Sequence, residues 1–193
     1  MKRIIAVANQ KGGVGKTTTV INVAAYLAKS GKRVLIVDLD PQGNSSSGLA
    51  IGKNELKSTL YDVLVGDVTA TEVICQTAFE RIDVLPSNSV LAAAEVELTR
   101  VRSGRENRLR RALKDLDYDV ILVDCPPSLG LLTVNGLTAA DFVMIPVQSE
   151  YYALEGLGQL LATIKRVRQV LNPKLGLLGI VITMHNNRTS LAT

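Results

Sequence analysis

A glycine-rich segment between a predicted strand and a predicted helix constrains the fold of this chain more than any other feature. The apolar run 3–8 leads into Lys11-Gly12-Gly13-Val14-Gly15-Lys16-Thr17-Thr18, and a helical pattern then runs from Lys16 to Ser30. Glycines let the backbone turn tightly, so that several N–H groups and the positive end of the helix point at one anion. The segment therefore predicts a polyphosphate-binding loop at the end of a strand.

The loop is a variant of the usual phosphate-binding pattern. That pattern has a glycine five positions before Gly15, where this chain has Gln10, and Lys11 is an additional lysine. We expect Lys16 to reach the β- and γ-phosphate oxygens and the Thr17 hydroxyl to coordinate Mg²⁺. A dinucleotide fingerprint would need its third glycine at Thr18, which argues against a hydride-transfer enzyme.

Short apolar runs alternate with longer helical patterns along the rest of the chain. This order predicts an α/β fold of the P-loop NTPase class, with a mostly parallel, twisted sheet and helices on both faces. The predicted strands are 3–8, 33–38, 81–85, 119–124, 141–147 and 177–183. The predicted helices are 16–30, 105–116 and 153–171. The stretch 43–58, rich in Gly, Ser and Asn, is interpreted as a mobile surface segment.

The composition is that of a globular protein with localised charge. Apolar residues make up 47% and charged residues 21%, and a length of 193 suits one domain, 1–193. The formal net charge is +4, but residues 100–114 hold seven basic side chains and one acidic one. That stretch contributes +6 and the remainder carries −2. The chain stops where Thr189 or Ser190 would open a further helix, so we expect a truncation at the C-terminus.

The cysteines and the apolar runs predict a cytoplasmic protein. Cys75 and Cys125 fit neither a disulfide framework nor a zinc or redox pair. No apolar run approaches the roughly 18 residues needed to cross a bilayer. The apolar start ends at Asn9, too early for a signal peptide. We therefore expect no membrane association.

Two predicted strands end in carboxylates suited to phosphate chemistry. The run Ile121-Leu122-Val123-Asp124 closes in an acid that, beside a phosphate loop, would hold Mg²⁺ directly or through water. Asp38 and Asp40 follow the second strand, and alternation puts them on the same side. Both could face the nucleotide, although Asp38 could equally support the packing.

Four segments together resemble the ParA/Soj chromosome- and plasmid-partitioning ATPases, and the likeness extends over essentially the whole chain. They are Lys11-Gly12-Gly13-Val14-Gly15-Lys16-Thr17-Thr18, Asp38-Leu39-Asp40-Pro41-Gln42-Gly43-Asn44, Asp124-Cys125-Pro126-Pro127-Ser128-Leu129-Gly130 and Glu150-Tyr151-Tyr152-Ala153-Leu154-Glu155-Gly156. A phosphate loop alone is shared by many families. The second and fourth segments, found together in one chain, are specific to far fewer families.

The resemblance implies a Mg²⁺-dependent ATPase that dimerises with two ATP molecules between its subunits. Lys11 matches the family's signature lysine, which reaches the partner's nucleotide in the manner of an arginine finger. Asp40 matches the acid that orients the attacking water, and Asp124 matches the Walker B acid. The implied catalytic residues are Lys11, Lys16, Asp40 and Asp124, with nucleotide held by residues 11–18 and metal by Thr17, Asp40 and Asp124.

The resemblance also implies DNA and protein partners. In this family the ATP-bound dimer binds nucleoid DNA without sequence preference, and a ParB-type centromere-binding protein stimulates hydrolysis. Arg188 matches a basic position that the family uses for DNA. Arg105, Arg108 and Arg111 lie on the outer face of helix 105–116, which fits either phosphate contact or an ordinary solvated face.

Two alternatives stay open. One is a nucleotide-gated, dimerising scaffold with little turnover. The other is a membrane-associated positioning ATPase of the MinD type, which would need an amphipathic helix at the C-terminus. The segment Asp40-Pro41-Gln42-Gly43-Asn44 together with Arg188 favours the partitioning ATPase.

Overall fold

The computed structural model describes residues 2–52, 56–148 and 153–184. Its centre is a seven-stranded sheet with the order β3-β4-β2-β5-β1-β6-β7. The strands are β1 (Arg3–Val7), β2 (Val34–Asp38), β3 (Cys75–Gln76), β4 (Ile82–Leu85), β5 (Val120–Asp124), β6 (Phe142–Gln148) and β7 (Gly176–Thr183). Every pairing is parallel except that of β3 with β4. The predicted mostly parallel sheet is confirmed, and only the two-residue β3 was missed.

Helices cover both faces of the sheet, as predicted. They are α1 (Lys16–Lys29), α2 (Asn44–Gly48), α3 (Leu60–Val65), α4 (Ala70–Val73), α5 (Leu91–Arg100), α6 (Arg108–Leu113), α7 (Leu131–Ala139) and α8 (Ala153–Val170). Alternate strand residues point to opposite faces, so Ile36 and Leu122 pack with Val20 of α1 while Leu35 and Ile121 join the cluster under α3 and α5 to α7. This burial on both sides explains why the strands are almost continuously apolar.

Helix α1 begins and ends as its sequence predicts. Gly15 precedes it in the left-handed conformation, and Gly31 follows it with a φ of 84°. A left-handed residue just beyond a helix is usually glycine, because a side chain there would be strained. The predicted helix 105–116 is shorter: Arg105–Asn107 form a 3₁₀ turn, and α6 covers only Arg108–Leu113.

The interpretation of 43–58 as a mobile surface segment is wrong for its first part. Residues 44–48 form α2, in which Ser45 and Ser46 are completely buried. The composition was misleading because small polar residues favour loops only when their hydroxyl groups have no hydrogen-bond partner inside the fold. Here the buried carboxylates of Asp38 and Asp124 accept those hydrogen bonds. Residues 53–55 lie outside the described part of the chain.

Candidate nucleotide-binding site

The strand register brings the ends of three neighbouring strands to one edge of the sheet. Asp124 of β5 pairs with Val7 of β1 on one side and with Asp38 of β2 on the other. The glycine-rich loop follows β1 at the same edge, so the loop and the acids predicted from the sequence meet there. The carboxyl edge of a parallel sheet is where such folds bind ligands.

The loop has the backbone that its glycines predict. Gly13 and Gly15 have φ values of 72° and 86°, a region that side-chain-bearing residues rarely adopt. Gly15 is the N-cap of α1, no side chain caps this end, and the Gly15 carbonyl accepts from the N–H of Thr19 at 2.8 Å. The first N–H groups of a 14-residue helix are thus left for a ligand.

Side chains from other strands hold the loop in place. Thr183 at the end of β7 donates to the Val14 carbonyl at 2.7 Å, and Gln148 at the end of β6 donates to the Gly13 carbonyl at 3.1 Å. Asn9 is buried; its amide donates to the Pro146 carbonyl at 2.6 Å, and its oxygen accepts from the Lys11 N–H at 3.0 Å. The loop is therefore held by hydrogen bonds to both β6 and β7.

Lys16 lies inside the loop with its side chain mostly buried. Its Nζ donates to the Lys11 carbonyl at 3.2 Å. Burial lowers the pKa of this ammonium, and the Asp124 and Asp40 carboxylates oppose that effect. The electrostatic attraction between a buried cation and an anionic ligand is strong, because the cation has little hydration left to lose when the ligand binds.

Asp124 gathers hydroxyl groups around one of its oxygens. Its Oδ2 accepts hydrogen bonds of 2.7 Å from Thr17 Oγ1 and 2.7 Å from Ser45 Oγ. Its Oδ1 is buried and has no hydrogen-bond partner among the described residues. Burial raises the pKa of this carboxyl, and the two hydroxyls counteract the rise. An ionised carboxylate with a spare oxygen beside two hydroxyls is a set of hard oxygen donors, which fits Mg²⁺.

The donor set is small, as magnesium sites in nucleotide-binding proteins usually are. Within residues 2–52, 56–148 and 153–184, no three His, Cys, Asp or Glu side chains come together in a cluster that could hold a metal alone. Mg²⁺ keeps several waters and takes one or two protein groups plus the phosphates of a nucleotide. Thr17 and Asp124 fit that mode.

The two acids after β2 have different surroundings. Asp40 is almost buried, and its Oδ1 accepts from the Gln42 N–H at 2.9 Å. Asp38 is fully buried, and its Oδ2 accepts from both the N–H and the hydroxyl of Ser46, each at 2.7 Å. Burial raises the pKa of Asp38 to about 7, against the effect of these hydrogen bonds.

A cavity of about 300 Å³ opens between these groups. It is lined by the loop and by the ends of other strands: Gly12, Gly13, Gly15, Lys16, Thr17, Thr18, Asp40, Gln42, Asn44, Pro127 and Met184. A second cavity of about 480 Å³, mostly apolar, shares Gly15, Thr18 and Met184 with it and extends along α1 to Tyr26. Neither Asp38 nor Asp124 lines these cavities; Asp124 contacts the cavity residue Thr17 directly, whereas Asp38 is bonded to the buried Ser46.

The structure thus collects most residues that the sequence singled out, and adds some that it did not. Lys11 and Val14 contribute through their backbone, and Lys16, Thr17, Asp40 and Asp124 converge. The buried serines Ser45, Ser46 and Ser87 were missed. The available signal for the first two was their short separation in sequence from Asp38 and Asp40, the acids that follow the second strand. Arg188 and the first three residues of the fourth motif, 150–152, lie outside the described residues.

The arginine-rich segment lies away from this edge of the fold. Arg108 and Arg111 line a groove of about 440 Å³ between α6 and the α3–α4 region, together with Asp115. Arg105 pairs with Glu106 at 3.0 Å. Contact between these arginines and DNA stays a prediction. None of the described helices is long and apolar enough to cross a membrane.

Comparison with known proteins adds independent information. A family model described as an AAA domain matches residues 2–177. The chain is 55% identical to the sporulation initiation inhibitor protein Soj of Bacillus subtilis, over 99% of this chain and 76% of the relative. It is 50% identical to the chromosome partitioning protein ParA of Caulobacter vibrioides, over 98% and 72%. A crystal structure described as cobyrinic acid a,c-diamide synthase from Mycobacterium smegmatis, with ADP and magnesium, matches 100% of this chain and 78% of its own, with a TM-score of 0.95 and 48% identity.

Proposed function

Because this chain belongs to the ParA/Soj family of P-loop partitioning ATPases, we propose that it hydrolyses ATP with Mg²⁺ and uses that cycle to partition DNA. The observation that carries the proposal is that Lys16, Thr17 and Asp40 line one cavity at the end of a glycine-rich loop, and that Asp124 accepts a hydrogen bond from Thr17 there. The crystal structure with ADP and magnesium supports the same ligands.

The residues of the chain divide the work of holding the triphosphate. Backbone N–H groups of residues 12–18 and the Lys16 ammonium bind the phosphate oxygens, and the apolar cavity beside α1 takes the nucleoside. Thr17 and Asp124 hold the magnesium ion, which neutralises charge on the phosphates when bound. Asp40 lines the cavity and orients the attacking water. Substrate positioning and charge neutralisation are what phosphoryl transfer mainly requires.

Lys11 acts on the nucleotide of a partner subunit in an ATP-dependent homodimer. Lys16 already serves the chain's own phosphate site, and Lys11 stands five residues earlier at the start of the loop, where the family carries its signature lysine. A second cation supplied by the partner would complete the charge balance of the transition state, as arginine fingers do.

The dimer binds nucleoid DNA without sequence preference, and a ParB-type protein stimulates hydrolysis. Support comes from the relatives, which are named as chromosome-partitioning proteins, and from the concentration of positive charge in residues 100–114. Binding through phosphates alone would weaken steeply as salt rises. Arg188 is the family's basic position in this chain and is proposed to contact DNA.

Phosphate release from ATP and Mg²⁺, with and without duplex DNA and a ParB-type partner, tests the proposal. We expect slow hydrolysis that DNA and the partner accelerate together. Lys16→Ala should abolish nucleotide binding, whereas Asp40→Ala should bind ATP and hydrolyse it only at a low residual rate. Full hydrolysis by Asp40→Ala would refute its role, and wild-type dimerisation on ATP without any turnover would favour the scaffold alternative.

Mixing two inactive variants tests the action of Lys11 across the dimer. A Lys11→Ala subunit keeps its own Lys16 and Asp40, and an Asp40→Ala partner can still supply Lys11. One of the two sites is then complete, so an equal mixture should recover about a quarter of the wild-type rate, because half of randomly formed two-fold dimers are mixed. No recovery would show that Lys11 acts within its own subunit.

The description of the Mycobacterium smegmatis structure names a different activity, amide formation. A synthase that took nitrogen from glutamine would need a reactive cysteine thiolate. Burial raises the pKa of both cysteines of this chain, Cys75 and the fully buried Cys125, which favours partitioning. Stimulation of phosphate release by cobyrinic acid and ammonia, and not by DNA, would reverse this preference.

A further inference from the structure

Helix α2 stands between the carboxylates of the site. Its consecutive residues Ser45 and Ser46 are both completely buried. Ser45 donates to Asp124, the proposed metal-binding acid, whereas Ser46 donates to Asp38 through both its N–H and its hydroxyl. One short helix thus contacts two acids from neighbouring strands.

A third buried serine, Ser87, extends this network to Asp40. The N–H of Ser87, which follows β4, donates to Ser46 Oγ at 3.1 Å, and the Ser87 hydroxyl donates to the Asp40 carbonyl at 2.7 Å. A hydroxyl has one proton to donate, so the directions are set: Ser46 gives its proton to Asp38 and accepts from Ser87, and Ser87 gives its proton to Asp40.

The Asp40 carbonyl also accepts from the Gly43 N–H at 2.9 Å. That bond lies within the turn 40–43, so it does not fix the turn relative to the rest of the fold. The Ser87 hydroxyl ties this carbonyl to the segment after β4, 47 residues away in the sequence. Without it, the chain at Asp40 keeps the bond from the neighbouring Leu39 N–H to the Asp124 carbonyl, at 3.0 Å, but loses its link to the segment after β4.

We propose that Ser46 and Ser87 are positioning residues for the hydrolytic step, acting through Asp40. Neither serine is among the residues that line the cavity, so we assign them no direct contact with the nucleotide. The inference rests on the proposed function, in which Asp40 orients water. A displacement of about 1 Å at a reacting group costs about 100-fold in rate, so the network sets the rate of hydrolysis without altering the phosphate-binding loop.

The test compares Ser46→Ala, Ser87→Ala, Ser87→Thr and the control Thr77→Val by kcat, KM for ATP and melting temperature. Thr77 makes a hydroxyl-to-carbonyl bond of the same length, 2.7 Å to Ile82, at the opposite end of β4. We expect the two alanine variants to lose about 10- to 100-fold in kcat with KM nearly unchanged. Ser87→Thr, which keeps the hydroxyl, should recover most of the rate, and Thr77→Val should keep it.

A double variant separates positioning from general destabilisation. In an Asp40→Ala background, Ser87→Ala should cause no further loss of residual hydrolysis, because the group it positions is absent. Additive losses, a wild-type kcat in Ser87→Ala, or a kcat that falls only with the folded fraction would each overturn the inference while leaving the proposed function intact. Wild-type protein that releases no phosphate under any condition would overturn both.

Discussion

Replacing Asp38 by asparagine should stabilise the nucleotide-free protein at pH 8, and much less at pH 5. Asp38 is fully buried, and burial raises its pKa from an ordinary value of 3.8 to about 7, with the nearby Asp124 adding to the rise. The folded state therefore holds a proton that the unfolded state has released between these two pH values. The contribution of Asp38 to stability is therefore most favourable below pH 3.8 and declines as the pH rises to about 7, above which the cost of burying the ionised acid is fully present.

The magnitude follows from the two pKa values. One pKa unit corresponds to about 1.4 kcal/mol, so the full penalty above pH 7 is about 4 kcal/mol and the part that develops between pH 5 and pH 8 is about 2–3 kcal/mol. Asparagine keeps an oxygen for the two donors of Ser46 but carries no charge. Its amide replaces Oδ1, which has no partner in the described structure, and that cost is the same at both pH values.

Urea unfolding at pH 5 and pH 8, with a chelator present to exclude metal, measures this difference. The free energy of unfolding of Asp38→Asn relative to wild type should rise by about 2–3 kcal/mol from pH 5 to pH 8. Asp67→Asn, at an exposed carboxylate, is the control and should show no such change. A constant difference at both pH values would refute the reasoning, because the charge of Asp38 would then not be what destabilises the fold.

Three further predictions follow from particular contacts. Gly15→Ala places a side chain at a φ of 86°, so we expect about 1–2 kcal/mol of destabilisation and loss of ATP binding. Calorimetry measures the ATP binding, and a wild-type affinity would contradict this prediction. Gly136→Ala puts a methyl group 2.9 Å from the Cys125 sulfur, which should destabilise by about 1–3 kcal/mol in urea unfolding; an unchanged midpoint would mean that the core yields freely. Replacing Arg108 and Arg111 by alanine should weaken duplex DNA binding and reduce the slope of log affinity against log salt concentration by about 2. Hydrolysis in the absence of DNA should be unchanged and is the control, and an unaltered slope would show that this groove is ordinary solvated surface.

Local patterns were sufficient for the phosphate loop and for every strand of the described sheet except the two-residue β3. A buried parallel strand is a short apolar run, and the six runs recognised in the sequence are six strands of the sheet. The loop was recognisable because positive φ at Gly13 and Gly15 demands glycine, which is a property of the residue itself. Helices α2, α3, α4, α5 and α7 were not predicted, and the basic helix 105–116 was predicted too long. Apolar periodicity alone does not show where a 3₁₀ turn replaces the α-helix.

The sequence by itself determined which chemical groups the site contains: a glycine loop, Lys16, Thr17 and acids at the ends of two strands. Only the tertiary structure decided how those groups are held. Thr17 meets Asp124 across 107 residues, and Ser87 reaches the Asp40 carbonyl across 47. Such hydrogen bonds leave no periodic trace, because a buried serine and a loop serine look alike until a carboxylate from another strand is placed beside one of them. The segment 43–48 therefore resembled a surface loop and is instead part of the support of the site.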